Sequence, residues 1–278
     1  MLRLTREVRF AADPDTPAPA GGQAVANAFG GFPPLRRLGV FLKLAVTVQG
    51  PLEARSQYLL NIKDIDWAVR ERAVPVFQRQ VRAAADLGYA ALAEAAPAVA
   101  QALPGGERGV RLVSLRLEVS PYVAVEMVLK EAGMVRLSSR FEFSAAHRLH
   151  NPALSAEDNV ATFGKCNNPL GHGHNYELQV TLRGVPGELP TLAEMEAKVN
   201  GAVVQAFDHK HLNEEVREFL ARERGGEGII PSVENIAVAA FRRLKPVFGR
   251  QLYSVTVWET PKTWAEYCEA DGETAATT

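Results

Sequence analysis

The sequence predicts an α+β protein of two tandem domains, each an antiparallel four-stranded sheet with two helices on one face. Three observations predict it. The chain resembles itself at a spacing of about 130–140 residues. Each half reads as strand, strand, helix, helix, strand, strand, an order that suits antiparallel sheets with helices on one side. All six histidines lie between His147 and His211, so one half holds the reactive groups. The expected domains are residues 1–132 and 133–278, parted around Lys130 to Gly133.

The elements follow in order. Arg3-Leu4…Val8-Arg9-Phe10-Ala11-Ala12 aligns with Arg136-Leu137…Phe141-Glu142-Phe143-Ser144-Ala145, giving the first strand of each half. Asp13 to Pro34 is rich in Pro, Gly and Ala and reads as a loop. Leu44 to Gly50 matches Leu178 to Gly184 as the second strand. In the second half His172, His174, Tyr176, Leu178, Val180 and Leu182 alternate onto one strand face. Ile62 to Asp66 matches Leu192 to Glu196, where a helix begins, and Phe77 then falls on Phe207. Thr191 and Glu194 form a capping-box pattern ahead of the helical stripe Leu192, Met195, Val199, Ala202 and Ala206. Ser232 caps a further helix that Pro246 limits. Leu112 to Leu115 matches Leu252 to Val255 in the third strand, and Pro121 falls on Pro261.

The alignment shows what the first half lacks. His172 and His174 correspond to Leu38 and Val40, and Cys166 to Phe32. Asp208 and His209 correspond to Gln78 and Arg79, and Glu259 to Val119. Leu and Val neither ligate a metal nor carry a proton, so the first half is expected to be inert.

Bulk properties narrow the function. The 278 residues are 47% hydrophobic and 23% charged, with a formal net charge of −1. That composition suits a soluble globular protein and gives no reason to expect nucleic acid or an anionic membrane as partner. Two cysteines, Cys166 and Cys268, make no disulfide framework and point to a reducing compartment. The N-terminus has no stretch suited to a signal peptide, and no run of about 18 apolar residues predicts a membrane span. A cytoplasmic protein is expected.

His172 and His174, at i and i+2, project from the same strand face. With His147, which ends another alternating run, they supply three nitrogen donors. Three protein ligands and an open position is the catalytic zinc arrangement, although imidazole also suits iron, nickel or copper. Cys166 lies in the turn-forming Gly164-Lys165-Cys166-Asn167-Asn168-Pro169. It is either a small buried hydrophobe or, beside a metal or a protonated histidine, a thiolate base or nucleophile. Asp208-His209 ends the capped helix, where a carboxylate can orient the ring. His150 and His211 read as surface or supporting residues. Glu259, at the end of a strand, is either solvated or pairs with a guanidine-like donor edge.

These residues resemble the 6-pyruvoyl-tetrahydropterin synthase family, which includes the 6-carboxytetrahydropterin synthases. The resemblance rests on Phe143 to Leu149, Phe163 to Tyr176, Phe207 to Asn213, Pro231 to Ala237 and Trp258-Glu259-Thr260. It covers roughly Val135 to Tyr267, and the first half shares it only through the repeat. It implies the tunnelling fold, in which small sheets from several domains close a barrel, and zinc held by His147, His172 and His174. It implies a proton-transfer group of Cys166, Asp208 and His209, with Glu259 anchoring the pterin ring and Glu234 among the substrate-binding residues. The implied substrate is 7,8-dihydroneopterin triphosphate, bound between subunits. The product is 6-pyruvoyl-tetrahydropterin or 6-carboxytetrahydropterin, in tetrahydropterin or queuosine biosynthesis. A homo-oligomer is expected, a trimer or a dimer of two-domain chains, in which the inert half supplies neighbours to the site. Arg148 and Lys165 are candidate phosphate contacts. Two other readings use the same residues: a non-catalytic pterin-binding or scaffold protein, and a zinc hydrolase of a pterin or nucleotide.

Overall fold

The computed structural model describes residues 2–12, 39–83, 88–131 and 133–269. The expected loop from Asp13 to Pro34 lies outside them, as do Phe32 and Leu38. The chain divides into two compact units. Unit 1 is Met1–Leu137 with Gly184–Gly187, and unit 2 is Ser138–Arg183 with Glu188–Thr278.

In unit 1, β1 (Leu2–Ala12) pairs antiparallel with β2 (Val40–Gly50), with Val8 opposite Leu44 and Phe10 opposite Leu42. Helix α1 (Ile62–Ala68) starts at Asn61, whose side chain accepts the Lys63 amide. It widens into a π turn, Val69–Ala73, and continues as α2 (Val74–Arg82); α3 follows over Tyr89–Ala102. β3 (Arg111–Glu118) pairs with β2 and with β4 (Val123–Val128). Alternation of the strands puts Val8, Phe10, Leu44, Val46, Leu115 and Leu117 in the core with Ile65, Phe77 and Leu92 from the helices. The Phe10 and Phe77 rings meet at 5.4 Å. The opposite face is polar, with Glu7 pairing to Arg9 and Lys43 to Glu118.

In unit 2, β5 (Val135–His147) is followed by α4 (Ala156–Phe163) and β6 (His172–Gly184). Helix α5 (Leu192–Val199) has the predicted capping box between Thr191 and Glu194. It too widens into a π turn, Asn200–Val204, before α6 (Gln205–Phe207). That turn corrects the predicted stripe. Past Met195 and Val199 the wider turn buries Val203 and Phe207 instead of Ala202 and Ala206; Leu192, in the first turn of α5, is exposed. The short β7 (Lys210–His211) and α7 (Leu212–Glu215) precede α8 (Val233–Phe248), which packs against β8 (Leu252–Thr260) and β9 (Thr263–Cys268). Pro246 does not limit α8, which runs on to Phe248 and stops before Gly249 at φ 55°. A ring near the C-terminal end costs one amide bond and leaves the last turn intact.

The strands of unit 2 run in the order β5-β6-β8-β9. The prediction of four purely antiparallel strands with two helices is corrected here. β7 adds a parallel pairing to β5, Ala145 with Lys210 and Ala146 with His211, and α4 and α7 are further helices.

Two details recur in both units. The β2–β3 register shifts between Thr47 and Val48, where Ser114 and Leu112 face them across the bulge. The β6–β8 register shifts between Thr181 and Leu182, opposite Ser254 and Leu252. The hydroxyls of Thr5 and Thr47 meet at 2.9 Å, and those of Ser138 and Thr181 at 3.0 Å. Among the described residues, no helix is long and apolar enough to cross a membrane.

Candidate active site

The site of unit 2 grows from the ends of three strands. Alternation along β5 buries Phe143, Ala145 and His147. Alternation along β6 sets His172, His174 and Tyr176 on one face. Beneath them the Phe143 and Tyr176 rings stack at 4.9 Å, with Phe207 edge-on to Phe143 at 5.6 Å. All three rings of this aromatic floor are buried.

His147 is fully buried. Its Nδ1 lies 2.7 Å from the Pro231 carbonyl, which accepts only, so Nδ1 carries the proton and Nε2 the lone pair. Burial, with the neighbouring His172, His174 and His211, lowers its pKa to about 4, although the Pro231 bond opposes the shift. Burial also lowers His172, helped by His174. His147 is therefore a neutral imidazole at pH 7, the form that ligates metals.

The Nε2 atoms of His147 and His172 are 3.1 Å apart. The Glu259 carboxylate places Oε1 3.3 Å from His147 Nε2 and 3.6 Å from His174 Nε2. Since His147 is neutral, this is no ion pair. His174 Nε2 is buried and has no hydrogen-bond partner. Four donor atoms, from His147, His172, His174 and Glu259, lie within 4.8 Å of one another. Electron-rich atoms converging with so few protons between them fit a divalent cation, and imidazole with carboxylate is a donor set for one. Among the described residues of unit 1 no such group occurs.

Cys166 sits half-buried in a one-turn helix, Gly164–Asn167, whose carbonyl at Cys166 accepts the Leu149 amide at 2.9 Å. Burial raises the Tyr176 phenol far above its ordinary value, and the charges of Glu259 and Cys166 act in the same direction. The Leu149 bond ties the Cys166 turn to the chain two residues past His147. Arg148 is committed to this turn: its guanidinium donates to the Asn167 carbonyl at 3.1 Å and side chain at 3.0 Å. Lys165 is exposed.

Asp208 and His209 lie elsewhere on the rim. His209 Nδ1 is 2.8 Å from Asp208 Oδ2, and the ring is 83% exposed. Its backbone has φ 55°, a left-handed conformation uncommon outside glycine. The Ser144 amide, with the His209 ring, holds the Asp208 carboxyl below the usual carboxylate range. Among the described residues no hydrogen bond joins Cys166 to either. Glu234 is exposed in the first turn of α8, held by Ser232, which lowers its pKa; it stands outside the cluster. In unit 1 the aligned Gln78 and Arg79 lie inside α2, where Gln78 is buried and Arg79 pairs with Glu94.

The sequence did not single out Tyr176 as a partner of His147, yet its hydroxyl is 3.3 Å from His147 Nδ1. Its i+2 spacing from His174 was the signal. Pro231 gave none, because a backbone carbonyl has no sequence signature. His150 supports the turn through Asn167 at 3.0 Å. His211 is more interior than expected, its Nδ1 buried without a hydrogen-bond partner.

The profile of the family described as 6-pyruvoyl tetrahydropterin synthase matches residues 136–270. The human 6-pyruvoyl tetrahydrobiopterin synthase is 38% identical over 137 residues, covering 48% of this chain and 90% of that protein. The 6-carboxy-5,6,7,8-tetrahydropterin synthase of Haemophilus influenzae is 27% identical over 153 residues, covering 49% of this chain and all of that protein. The structure of Caenorhabditis elegans 6-pyruvoyl tetrahydropterin synthase is 38% identical, covers 49% of this chain and 96% of its own, and superposes with a TM-score of 0.44.

Proposed function

The chain belongs to the 6-pyruvoyl tetrahydropterin synthase family, and on that premise we propose that unit 2 is a zinc-dependent lyase acting on 7,8-dihydroneopterin triphosphate. It eliminates triphosphate to give 6-pyruvoyl-tetrahydropterin or, with further loss of the two outer side-chain carbons as acetaldehyde, 6-carboxytetrahydropterin. The observation that carries the reading is the convergence of His147, His172 and His174, with the Cys166 turn bonded to Leu149 just past His147.

His147, His172 and His174 hold the zinc, which when bound supplies Lewis acidity toward the hydroxyl oxygens of the substrate side chain. Cys166 takes a proton from an adjacent carbon as the bond to triphosphate breaks. His209 passes protons on, and Asp208 orients its ring through the 2.8 Å contact. Glu259 accepts from the donor edge of the pterin, and Glu234 is a further substrate contact. Asn167 takes the Nε and one terminal nitrogen of Arg148, which leaves that guanidinium fewer donors for phosphate.

The exposed His209, with no hydrogen bond to Cys166 among the described residues, favours a proton-transfer group completed between copies, in a trimer or dimer of two-domain chains. The first half, residues 1–132, is a degenerate tunnelling-fold repeat, and 133–278 the catalytic domain. The matching bulges at Thr47 and Thr181, and the matching hydroxyl pairs, support that reading. A cytoplasmic location fits a chain with this substrate.

The test is incubation of zinc-loaded protein with 7,8-dihydroneopterin triphosphate, reading products by mass beside Cys166→Ala. Release of triphosphate with a 6-pyruvoyl or 6-carboxy pterin, abolished by the substitution, is the expected result. Unchanged substrate at full zinc occupancy sinks the assignment; shortening of the phosphate chain alone turns it into a hydrolase.

A further inference from the structure

Glu259 is placed unlike a side chain that only awaits a ligand. Its carboxylate is 20% exposed, and no Lys or Arg among the described residues pairs with it. Instead Oε1 faces the lone pair of His147 Nε2 at 3.3 Å and approaches His174 Nε2 at 3.6 Å. A carboxylate against the His147 lone pair is repelled unless a positive charge sits between them. The backbone shows how it arrives there. The β8–β9 register shifts between Trp258 and Thr260: Trp258 faces Trp264, Thr260 faces Thr263, and Glu259 is the bulged residue between them. Val255 and Val257, four and two residues earlier, face the core. The bulge sits at the end of a hairpin whose turn, Pro261 and Lys262, is exposed. Bulges of this kind re-aim a side chain without disturbing the strand before it.

We infer that Glu259 is a displaceable fourth ligand of the metal. In the resting protein it completes the donor set of His147, His172 and His174. An incoming substrate oxygen takes its place, and the released carboxylate becomes available to the donor edge of the same substrate. Opening the metal and gripping the ligand are then one movement of one side chain at the hairpin end. The exchange half of this inference rests on the pterin reading above; the resting ligation does not.

The experiment measures zinc affinity of the full chain by competition with a chromophoric chelator, in the wild type, Glu259→Gln and Glu259→Asp. The cobalt-loaded proteins are then titrated with 7,8-dihydroneopterin while their visible bands are followed. Zinc affinity is expected to fall about 10–100-fold in both variants, the scale seen when groups supporting a metal are lost. The thermal midpoint of the metal-free variants is expected to match the wild type, which separates ligation from folding. Cobalt bands of the wild type shift as the pterin binds. Affinity within twofold of wild type in both variants overturns the inference, even where turnover is lost. Weakened zinc affinity without any pterin response upholds the resting ligand and refutes the substrate class instead.

Discussion

Ser144 fixes Asp208 from across the unit: its backbone N–H donates to Asp208 Oδ1 at 2.8 Å. The same residue's carbonyl accepts the His209 amide at 2.6 Å. Two adjacent residues are therefore clamped to one position on β5, and the exposed His209 ring keeps its direction although nothing packs over it.

Asp208→Asn keeps an acceptor for Ser144 but removes the charge that orients His209. Turnover is expected to fall by about 10²–10⁴, the contribution of general acid–base catalysis, while the urea midpoint changes little. Asp208→Ala is expected to lose the same activity and about 1–2 kcal/mol of stability as well, because the Ser144 amide is left unpaired. Steady-state kinetics beside urea melts separate the two; equal stability in both variants contradicts the clamp.

Gly171 has φ 69°, and a Cβ there would stand 2.8 Å from both the His147 carbonyl and His211 Nε2. A carbonyl in a β-ladder cannot retreat. Gly171→Ala is expected to destabilise the protein by roughly 1–3 kcal/mol and to lower metal content, since His172 is the next residue. Metal analysis of the purified variant checks it.

The metal-free protein should weaken in mild acid. The folded pKa of His147 is about 4, against about 6.5 when unfolded. Its folded value is depressed, so its contribution is complete above about pH 6.5. That contribution is lost as pH falls toward 4, because the unfolded chain takes up the proton first. The loss is of order 3 kcal/mol. Urea midpoints of chelator-treated protein between pH 7.5 and 4 report it; a flat profile across that window refutes a neutral, buried imidazole.

Arg243 grips Glu218 through two bonds, 2.6 and 2.8 Å, and lies over the Phe207 ring at 5.2 Å. Burial alone would raise the Glu218 carboxyl, but the Arg243 bonds outweigh it and hold the group below its ordinary value. Arg243→Ala is expected to cost about 1–3 kcal/mol, part of it from lost contact with Phe207. A double-mutant cycle with Glu218→Gln isolates the pair; coupling near zero contradicts it.

Much of the fold was legible because its signals were periodic. Alternation in β5 and β6 placed His147, His172, His174 and Tyr176 on one face, and Thr191 with Glu194 marked the start of α5. The π turns were not legible, since a wider helical turn leaves no residue signature, and they moved the buried stripe from Ala202 to Val203. β7 was hidden because a two-residue strand, Lys210–His211, is too short to show alternation. At the site, donor types and spacing named the three histidines. The inward turn of Glu259 follows from a register shift that side-chain chemistry does not encode. The separation of Asp208 and His209 from Cys166 also arises from chain path, which spacing alone does not give.

The bond from His147 Nδ1 to the Pro231 carbonyl spans 84 residues of chain. A nascent chain therefore owns all three imidazoles long before it can set the tautomer of the first. On the zinc reading proposed above, stable metal uptake would be a late milestone of maturation, following the docking of the segment that leads into α8. Metal occupancy would then double as a quality gauge, since an underloaded preparation would point to misassembled chains as well as to scarce metal.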